Sequence, residues 1–404
     1  MKTVAIISEY NPFHNGHKYQ IDKIRELLGE DTAIVAIMSG NFTQRGELAI
    51  ADKTVRAKTA VLCGVDLVLE LPFPYSSSSA EFFARSGVKI ATEIGADYLA
   101  FGSESGDIDT IKKIADVMAS DKFKSALDKL TDDKSYASLG HAQMIELAYG
   151  QVTDETPDFD ITGANNILSL EYVKAIKFFG SNIIPITIKR EGADYNNAEI
   201  DGGLTFQSAT SIRADLYKDG SSAPKYMPNI AFNELNLAKE NGLAPSSIEA
   251  LSPAIISTLR LNSASDINIH DADDGLYNRL CTLSMKTKSI SSLTALAETK
   301  KYTKARIRRA ILYSFFGVTS SIVKEYPRFT QVLAMNDTGR RVLKGIKKST
   351  GFACITKPSD YLHLSPNVIA QKELANKADA IYALSLPGDI PGAFPLTFTP
   401  FVKK

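Results

Sequence analysis

Two histidines, His14 and His17, stand three residues apart in the run Glu9-Tyr10-Asn11-Pro12-Phe13-His14-Asn15-Gly16-His17-Lys18-Tyr19, and the whole chain has only five histidines. An apolar run, Val4-Ala5-Ile6-Ile7, precedes them and reads as a buried strand. Ile21, Ile24, Leu27 and Leu28 follow at helical spacing. The pair is therefore expected in the turn and first helical turn at a strand's carboxyl end, where open α/β sheets bind ligands. Free N–H groups and the positive dipole end of a helix suit phosphate, and Gly16 allows a phosphate close to the backbone. Imidazole donates from either ring nitrogen, with a charge adjustable near neutral pH. The chemistry expected is stabilisation of negative charge on phosphate oxygens and on a leaving group. Ordinary surface or core histidines are a second reading of a His-x-x-His pair. A metal site is a third, but no third ligand lies nearby, so no metal ligand set is expected.

The elements that must position this turn alternate along the first half of the chain. Ala33 to Met38 reads as a second strand, ending in the polar loop Ser39-Gly40-Asn41-Phe42-Thr43-Gln44-Arg45-Gly46-Glu47. A helix through Lys53, Arg56 and Ala60 follows, then a strand from Asp66 to Leu71, a helix from about Ala80 to Ile94, and a strand from Tyr98 to Phe101 that ends at Gly102-Ser103-Glu104. This βαβαβαβ order predicts a parallel, doubly wound sheet. Residues 107–160 are helical and charged and read as an insertion. The pattern resumes with a helix from Asn165, a strand from Ile183 to Ile188 leading to Lys189-Arg190, and a helix opened by Ser208-Ala209-Thr210-Ser211-Ile212-Arg213. Those hydroxyls with an arginine one turn on can hold phosphate, or simply cap the helix. After a linker at Lys218 to Pro224 the alternation fades. Segments such as Ile248 to Leu261, Asp274 to Met285 and Thr303 to Phe316 predict a mainly helical second region. The expected domains are residues 1–219 and 220–404.

Composition is that of an ordinary soluble globular chain, with 44% hydrophobic and 23% charged residues in 404. No apolar run approaches the roughly 20 residues of a membrane helix, and Met1-Lys2-Thr3 leads into a strand with no signal-peptide pattern. Cys63, Cys281 and Cys354 are far apart, which indicates buried thiols in a reducing cytoplasm rather than a disulfide framework. The expected location is cytoplasmic, with no membrane partner. Net charge is zero but polarised. Lys286 to Lys348 holds 15 Lys or Arg and 3 acidic residues, leaving 31 basic and 43 acidic elsewhere. Such a segment is an electrostatic footprint for a polyanion. Tyr302, Tyr313, Phe315, Phe316, Tyr326 and Phe329 interleave with it and could stack on bases, although Phe315 and Phe316 are expected in the core. Lys300, Lys301, Lys304, Arg306, Arg308 and Arg309 are the candidate nucleic-acid contacts, with a solvated helix face as the other reading.

His14-Asn15-Gly16-His17 resembles the His-x-Gly-His signature of the nucleotidyltransferase superfamily, and Ser208 to Arg213 resembles its second signature, Ile-Ser-x-Thr-x-x-Arg. The longer constellation adds the loop from Ser39 to Glu47, Glu70-Leu71-Pro72-Phe73, Phe101-Gly102-Ser103-Glu104 and the basic Tyr302 to Arg309. In this order the segments resemble the bacterial tRNA(Met) cytidine acetate ligase family over nearly the whole chain. The resemblance implies a Rossmann-like doubly wound parallel sheet of the nucleotidyltransferase superfamily, with a mainly helical C-terminal region that binds tRNA. It implies activation of acetate by ATP as acetyl-adenylate, with release of pyrophosphate. Acetyl transfer to the wobble cytidine of elongator tRNA(Met) would then give 4-acetylcytidine and AMP.

By the same resemblance, Ile7, Ser8, Glu9, Tyr10, Asn11, Pro12, Phe13, His14, Asn15, Gly16, His17, Lys18, Tyr19 and Gln20 would hold ATP, with His14 and His17 catalytic on the phosphates. Gly102, Asn165 and Arg190 would complete the nucleotide site, with Asn166 a competitor for Asn165. Lys53 and Arg56 face phosphate or RNA, or are solvated helix charges. Gln44 and Arg45 are placed to handle substrate. Magnesium would bridge the phosphates, held largely by substrate oxygens. The chain departs from the family pattern where Gly163-Ala164 stands for Ser-Pro, Ser169 for Gly and Tyr195-Asn196 for Tyr-His. Tyr195-Asn196 leaves that position's role open. A small-molecule adenylyltransferase and a noncatalytic RNA-binding protein with an ATP fold are the competing functions, and a zinc enzyme a distant one. DNA is not an expected partner, and no segment marks an acetate pocket.

Overall fold

A computed structural model describes all residues except 137–138, 140, 154–159, 162, 191–205, 219, 262–267, 274, 394–397 and 404. Tyr195-Asn196 lies outside the described residues. The first half runs β1 (Thr3–Ser8), α1 (Asn15–Leu28), β2 (Ala33–Ser39), α2 (Lys53–Leu62), β3 (Leu67–Leu71), α3 (Ala80–Glu93) and β4 (Tyr98–Ser103). Three further helices, α4 (Ile108–Met118), α5 (Asp121–Asp132) and α6 (His141–Thr153), occupy the stretch expected as an insertion. Then come α7 (Ala164–Phe178), β5 (Ile184–Lys189) and α8 (Ala209–Lys218). These five strands are mutually parallel in the order β5-β4-β1-β2-β3. They carry the near-continuous apolar sequences that burial on both faces requires. Val4, Ala5, Ile34, Val35, Ile37, Leu67 and Leu69 are fully buried.

The chain steps outward from β1 to β2 and β3, then returns to β4 on the other side of β1. The carboxyl ends of β1 and β4 therefore flank the point where strand order reverses, the crevice where such sheets bind ligands. The turn from Glu9 to His14 lies at one lip and Gly102 at the other.

The second half is helical through α9 (Asn229–Glu240), α10 (Ser252–Leu261), α11 (Leu276–Ser284), α12 (Ile290–Ala297), α13 (Lys304–Phe316) and α14 (Ser320–Lys324). The region is mainly helical, as expected, and adds three short strands that the sequence did not mark. β6 (Phe329–Met335) enters the sheet antiparallel to β3, followed by α15 (Asp337–Ser349), β7 (Ala353–Ile355), α16 (Pro366–Ala383) and β8 (Phe401–Val402). β6 is buried along its whole length and pairs on its far side with β7 and β8. It covers an edge of β3 that would otherwise expose unpaired backbone groups.

Three large apolar clusters result. Two lie on opposite faces of the sheet. One gathers Leu69, Phe83 and Val88 with Ile111, Phe123 and Leu130 of the inserted helices; the other gathers Ile6, Ile24 and Ile34 with Ile212 and Leu235. The third packs Leu259, Leu280, Leu293 and Ile311, with Phe315 and Phe316 partly buried against it. Phe42 and Phe73, from the loops after β2 and β3, are buried in this third cluster. Burying such a side chain contributes about 1.5–3 kcal/mol, so the site-forming loops are anchored in the helical region's core.

Candidate active site

His14 is the N-cap of α1, and its Nδ1 accepts a hydrogen bond from the Gly16 N–H at 3.1 Å. His17, one turn on, accepts from the His14 N–H through its own Nδ1 at 3.2 Å. This reciprocal arrangement is a capping box built from two imidazoles. With both Nδ1 atoms accepting, each neutral ring carries its proton on Nε2. The rings stack with centroids 3.8 Å apart, and Tyr10 meets His17 edge-on at 4.9 Å. Burial, with the Arg190 and Arg213 guanidiniums nearby, pushes the His14 pKa down to about 3. Burial, His14 and Arg190 hold His17 well below its ordinary range. Both rings are thus neutral N–H donors at physiological pH.

A small cavity of about 60 Å³ lies over these rings, lined by His14, Gly16, His17, Tyr19, Gln20, Gly102 and Arg190 with Ile188, Lys189, Phe206 and Gln207. The stem of Arg190 lies across Gly102, where a Cβ would come within 3.1 Å of it. Phe206, which no sequence signal marked, closes on the Tyr19 ring at 5.4 Å. A cavity with neutral N–H donors below and a guanidinium beside it can hold a phosphate chain.

The remaining candidates divide. Ile7 and Ser8 end β1, and Pro12 and Phe13 are buried. Asn11 Oδ1 accepts from the Ile50 N–H at 2.8 Å. Glu9 accepts from the Gln44 N–H at 2.8 Å, and burial pushes its carboxyl up. These residues build the turn rather than line the cavity. Asn15 turns to the Lys225 carbonyl, and Lys18 pairs with Asp22. Asn166 is buried, its side chain bonded to the Glu104 N–H, the Glu104 carboxylate and the Asp160 carbonyl, whereas Asn165 is half-buried at the start of α7. Asn165 is not among the residues lining the cavity.

Lys53 and Arg56 face neither phosphate nor solvent, a correction to both readings of the sequence. The Lys53 ammonium is buried between Glu70 and Asp379. Arg56 donates to the carbonyls of Glu9, Ser39, Gly40 and Ala51, clamping the ends of β1 and β2 together. Gln44 is likewise committed, its side-chain amide donating to the Ser78 carbonyl. In the second signature, Ser208 Oγ accepts from the Ser211 N–H as a helix cap. Arg213 donates to the Asn11 carbonyl at 2.8 Å and pairs with Glu47, so it braces the histidine turn from beneath. Among the described residues no group of three or more His, Cys, Asp or Glu forms a metal cluster.

The basic segment also divides. Lys300, Lys301 and Lys304 are exposed on or before the start of α13, Lys304 with its ammonium 3.5 Å from the Glu298 carboxylate. Arg306 pairs with Asp273, Arg308 with Glu47 and the buried Arg309 with Asp271. Among the described residues no helix is long and apolar enough to cross a membrane.

Residues 1–390 match the family model described as HIGH Nucleotidyl Transferase. The chain is 39% identical over 368 residues to the tRNA(Met) cytidine acetate ligase of Caldanaerobacter subterraneus subsp. tengcongensis, covering 89% of this chain and 90% of that protein. It is 38% identical over 395 residues to the protein of the same name from a Thermoanaerobacter species, covering 95% and 96%. Crystal structures of Thermotoga maritima TmcAL superpose on the whole chain and on 99% of theirs. The apo form gives a TM-score of 0.92 at 29% identity, and the form bound to alpha-thio ATP gives 0.90 at 28% identity.

Proposed function

The chain belongs to the HIGH nucleotidyl transferases and, within them, to the family of the tRNA(Met) cytidine acetate ligases, and from that premise we propose that it activates acetate with ATP and acetylates a tRNA cytidine. In the first step an acetate oxygen forms a bond to the α-phosphorus of ATP and pyrophosphate leaves. In the second, the exocyclic amine of the wobble cytidine of elongator tRNA(Met) takes the acetyl group. AMP then leaves, and 4-acetylcytidine is formed. The observation that carries the reading is the stacked pair of neutral imidazoles at the reversal point of the sheet. Their Nε2–H donors meet charge that grows on the non-bridging oxygens as pyrophosphate departs, and they cost no reorganisation when it does. Arg190 adds a fixed positive charge at the cavity wall. Magnesium accompanying ATP would be held by phosphate oxygens and water, as suits an ion that dehydrates reluctantly; the described residues offer no acidic cage for it.

The test is incubation with ATP, magnesium, labelled acetate and total bacterial tRNA, followed by digestion to nucleosides. Label in acetylcytidine is the expected result. Pyrophosphate release only on addition of a phosphorylated small molecule would instead identify a small-molecule adenylyltransferase.

Gly16 supplies a second test. A Cβ there would stand 3.0 Å from His14 Cε1 and 3.1 Å from its Nδ1. Gly16→Ala should therefore push the His14 ring off its cap while leaving α1 intact, since alanine favours helix more than glycine does. Acetate-dependent pyrophosphate exchange is expected to fall by about 10²-fold, as for a misplacement near 1 Å, with little change in thermal midpoint. An unchanged exchange rate would show that the ring's position is not critical.

For tRNA we propose the exposed Lys300, Lys301 and Lys304 as phosphate contacts, with Arg306, Arg308 and Arg309 contributing through the ion pairs that hold α13. Replacing the three lysines by alanine should weaken tRNA binding and lower the salt slope by about 2–3. An unaltered slope would move the RNA surface elsewhere.

A further inference from the structure

A second cavity, of about 570 Å³ against about 60 Å³ over the histidines, lies at the seam between the sheet's loops and helices α12 and α13. Its volume suits a small organic ligand. Leu48, Ile248, Ile290 and Ile311 give it apolar walls, hydroxyls such as Thr210, Tyr217 and Ser291 share the lining, and its carboxylate is Glu47, forked between Arg308 on Oε1 and Arg213 on Oε2, the latter at 3.3 Å. Arg213 also donates to the Asn11 carbonyl, so this cavity adjoins the histidine turn through a single guanidinium. Lys304, on the cavity lining, has a side chain 56% exposed.

Cytosine presents an N4–H donor beside its N3 and O2 acceptors. A carboxylate beside a guanidinium is the complement of that edge, and carboxylates accept from cytosine N4. Uracil places an acceptor where cytosine has N4–H and would face the carboxylate unfavourably. Apolar walls suit an unstacked base from a single-stranded loop. We propose that this seam cavity receives the acceptor cytosine, with Glu47 accepting from N4–H, Arg308 donating to the acceptor edge and Lys304 meeting a flanking phosphate. The assignment rests on the ligase reading above and adds to it the site and the basis of base choice.

The test uses the full-length protein and two anticodon-arm hairpins that differ only in C or U at the wobble position, with affinity read by fluorescence anisotropy. The wild-type protein should prefer C by about tenfold, and Glu47→Gln, whose amide can both donate and accept, should bind the two alike. Ala295→Trp tests the cavity without touching the ion pairs, because Ala295 is an exposed residue of α12 on the cavity lining. It should lower affinity for the C hairpin to that for U. Retained preference in Glu47→Gln, or wild-type affinity in Ala295→Trp, would overturn the assignment. Failure of the ligase reading is separate: it would appear as absence of acetate-dependent pyrophosphate exchange in the wild-type protein, a reaction needing no RNA.

Discussion

His17→Ala is expected to lower acetate-dependent pyrophosphate exchange by about 10²–10³-fold, the usual loss for one preorganised donor at a developing oxyanion. The substitution removes the Nε2–H donor and the Nδ1 acceptor that holds the His14 N–H, and it leaves the stacked partner ring and Tyr10 without their contact. tRNA affinity should change little, because the exposed lysines lie on another element. His17→Asn keeps a donor and should lose less. Wild-type exchange in His17→Ala would refute the catalytic assignment. The pH dependence carries an independent signature. With His14 held at about 3 and His17 also well below 6.5, exchange should show no imidazole titration between about pH 6 and 8. The sign for stability follows from the same depression. Below about pH 6.5 the unfolded chain binds protons that the buried rings refuse, so these histidines lower stability progressively as pH falls from 6.5 toward 3.

The strands β1 to β5 and the histidine turn were legible because their signals are local. Apolar runs end at polar, glycine-punctuated loops, and a strand followed by His-x-Gly-His and a helical stripe needs no distant partner to be read. β6 was not legible. Phe329 to Met335 is a short mixed run after the six helices α9 to α14, and only its place beside β3, far earlier in the chain, makes it a strand. The same distance hid the duties of the charged residues. Arg306, Arg308 and Arg309 look alike in sequence with Lys300 and Lys301, yet their carboxylates, Asp273, Glu47 and Asp271, are supplied by other segments. Asn165 and Asn166 could be told apart only by which side the first turn of α7 presents to Glu104. Spacing on a helix gives a face; it does not say what the face meets.

Lys53 shows the consequence most sharply. Read on α2 alone it is a candidate phosphate contact, whereas its ammonium lies 2.6 Å from Glu70 and 2.5 Å from Asp379, 326 residues away. Asn41 joins the network, accepting from the Lys53 N–H at 2.7 Å and donating to Asp379 at 3.1 Å. Lys53→Met keeps the stem's volume and removes the charge, leaving two buried carboxylates with Lys372 as the nearby cation. Burial already pushes Lys372 down to about 8 and Asp379 up to about 6. Breaking such a pair from one side costs about 3–5 kcal/mol, which should lower the thermal midpoint by several degrees. Without Lys53 the Asp379 carboxyl should rise further above its unfolded value, so the folded variant binds a proton that the unfolded chain releases. Its stability deficit should therefore shrink as pH falls from about 8 to about 5. Adding Asp379→Asn should recover part of the loss at about pH 8, for the same reason. Thermal denaturation at both pH values measures this directly. A phosphate-binding lysine would behave in the opposite way, losing activity while the midpoint stayed put, and a deficit independent of pH would show that the carboxylates find other partners.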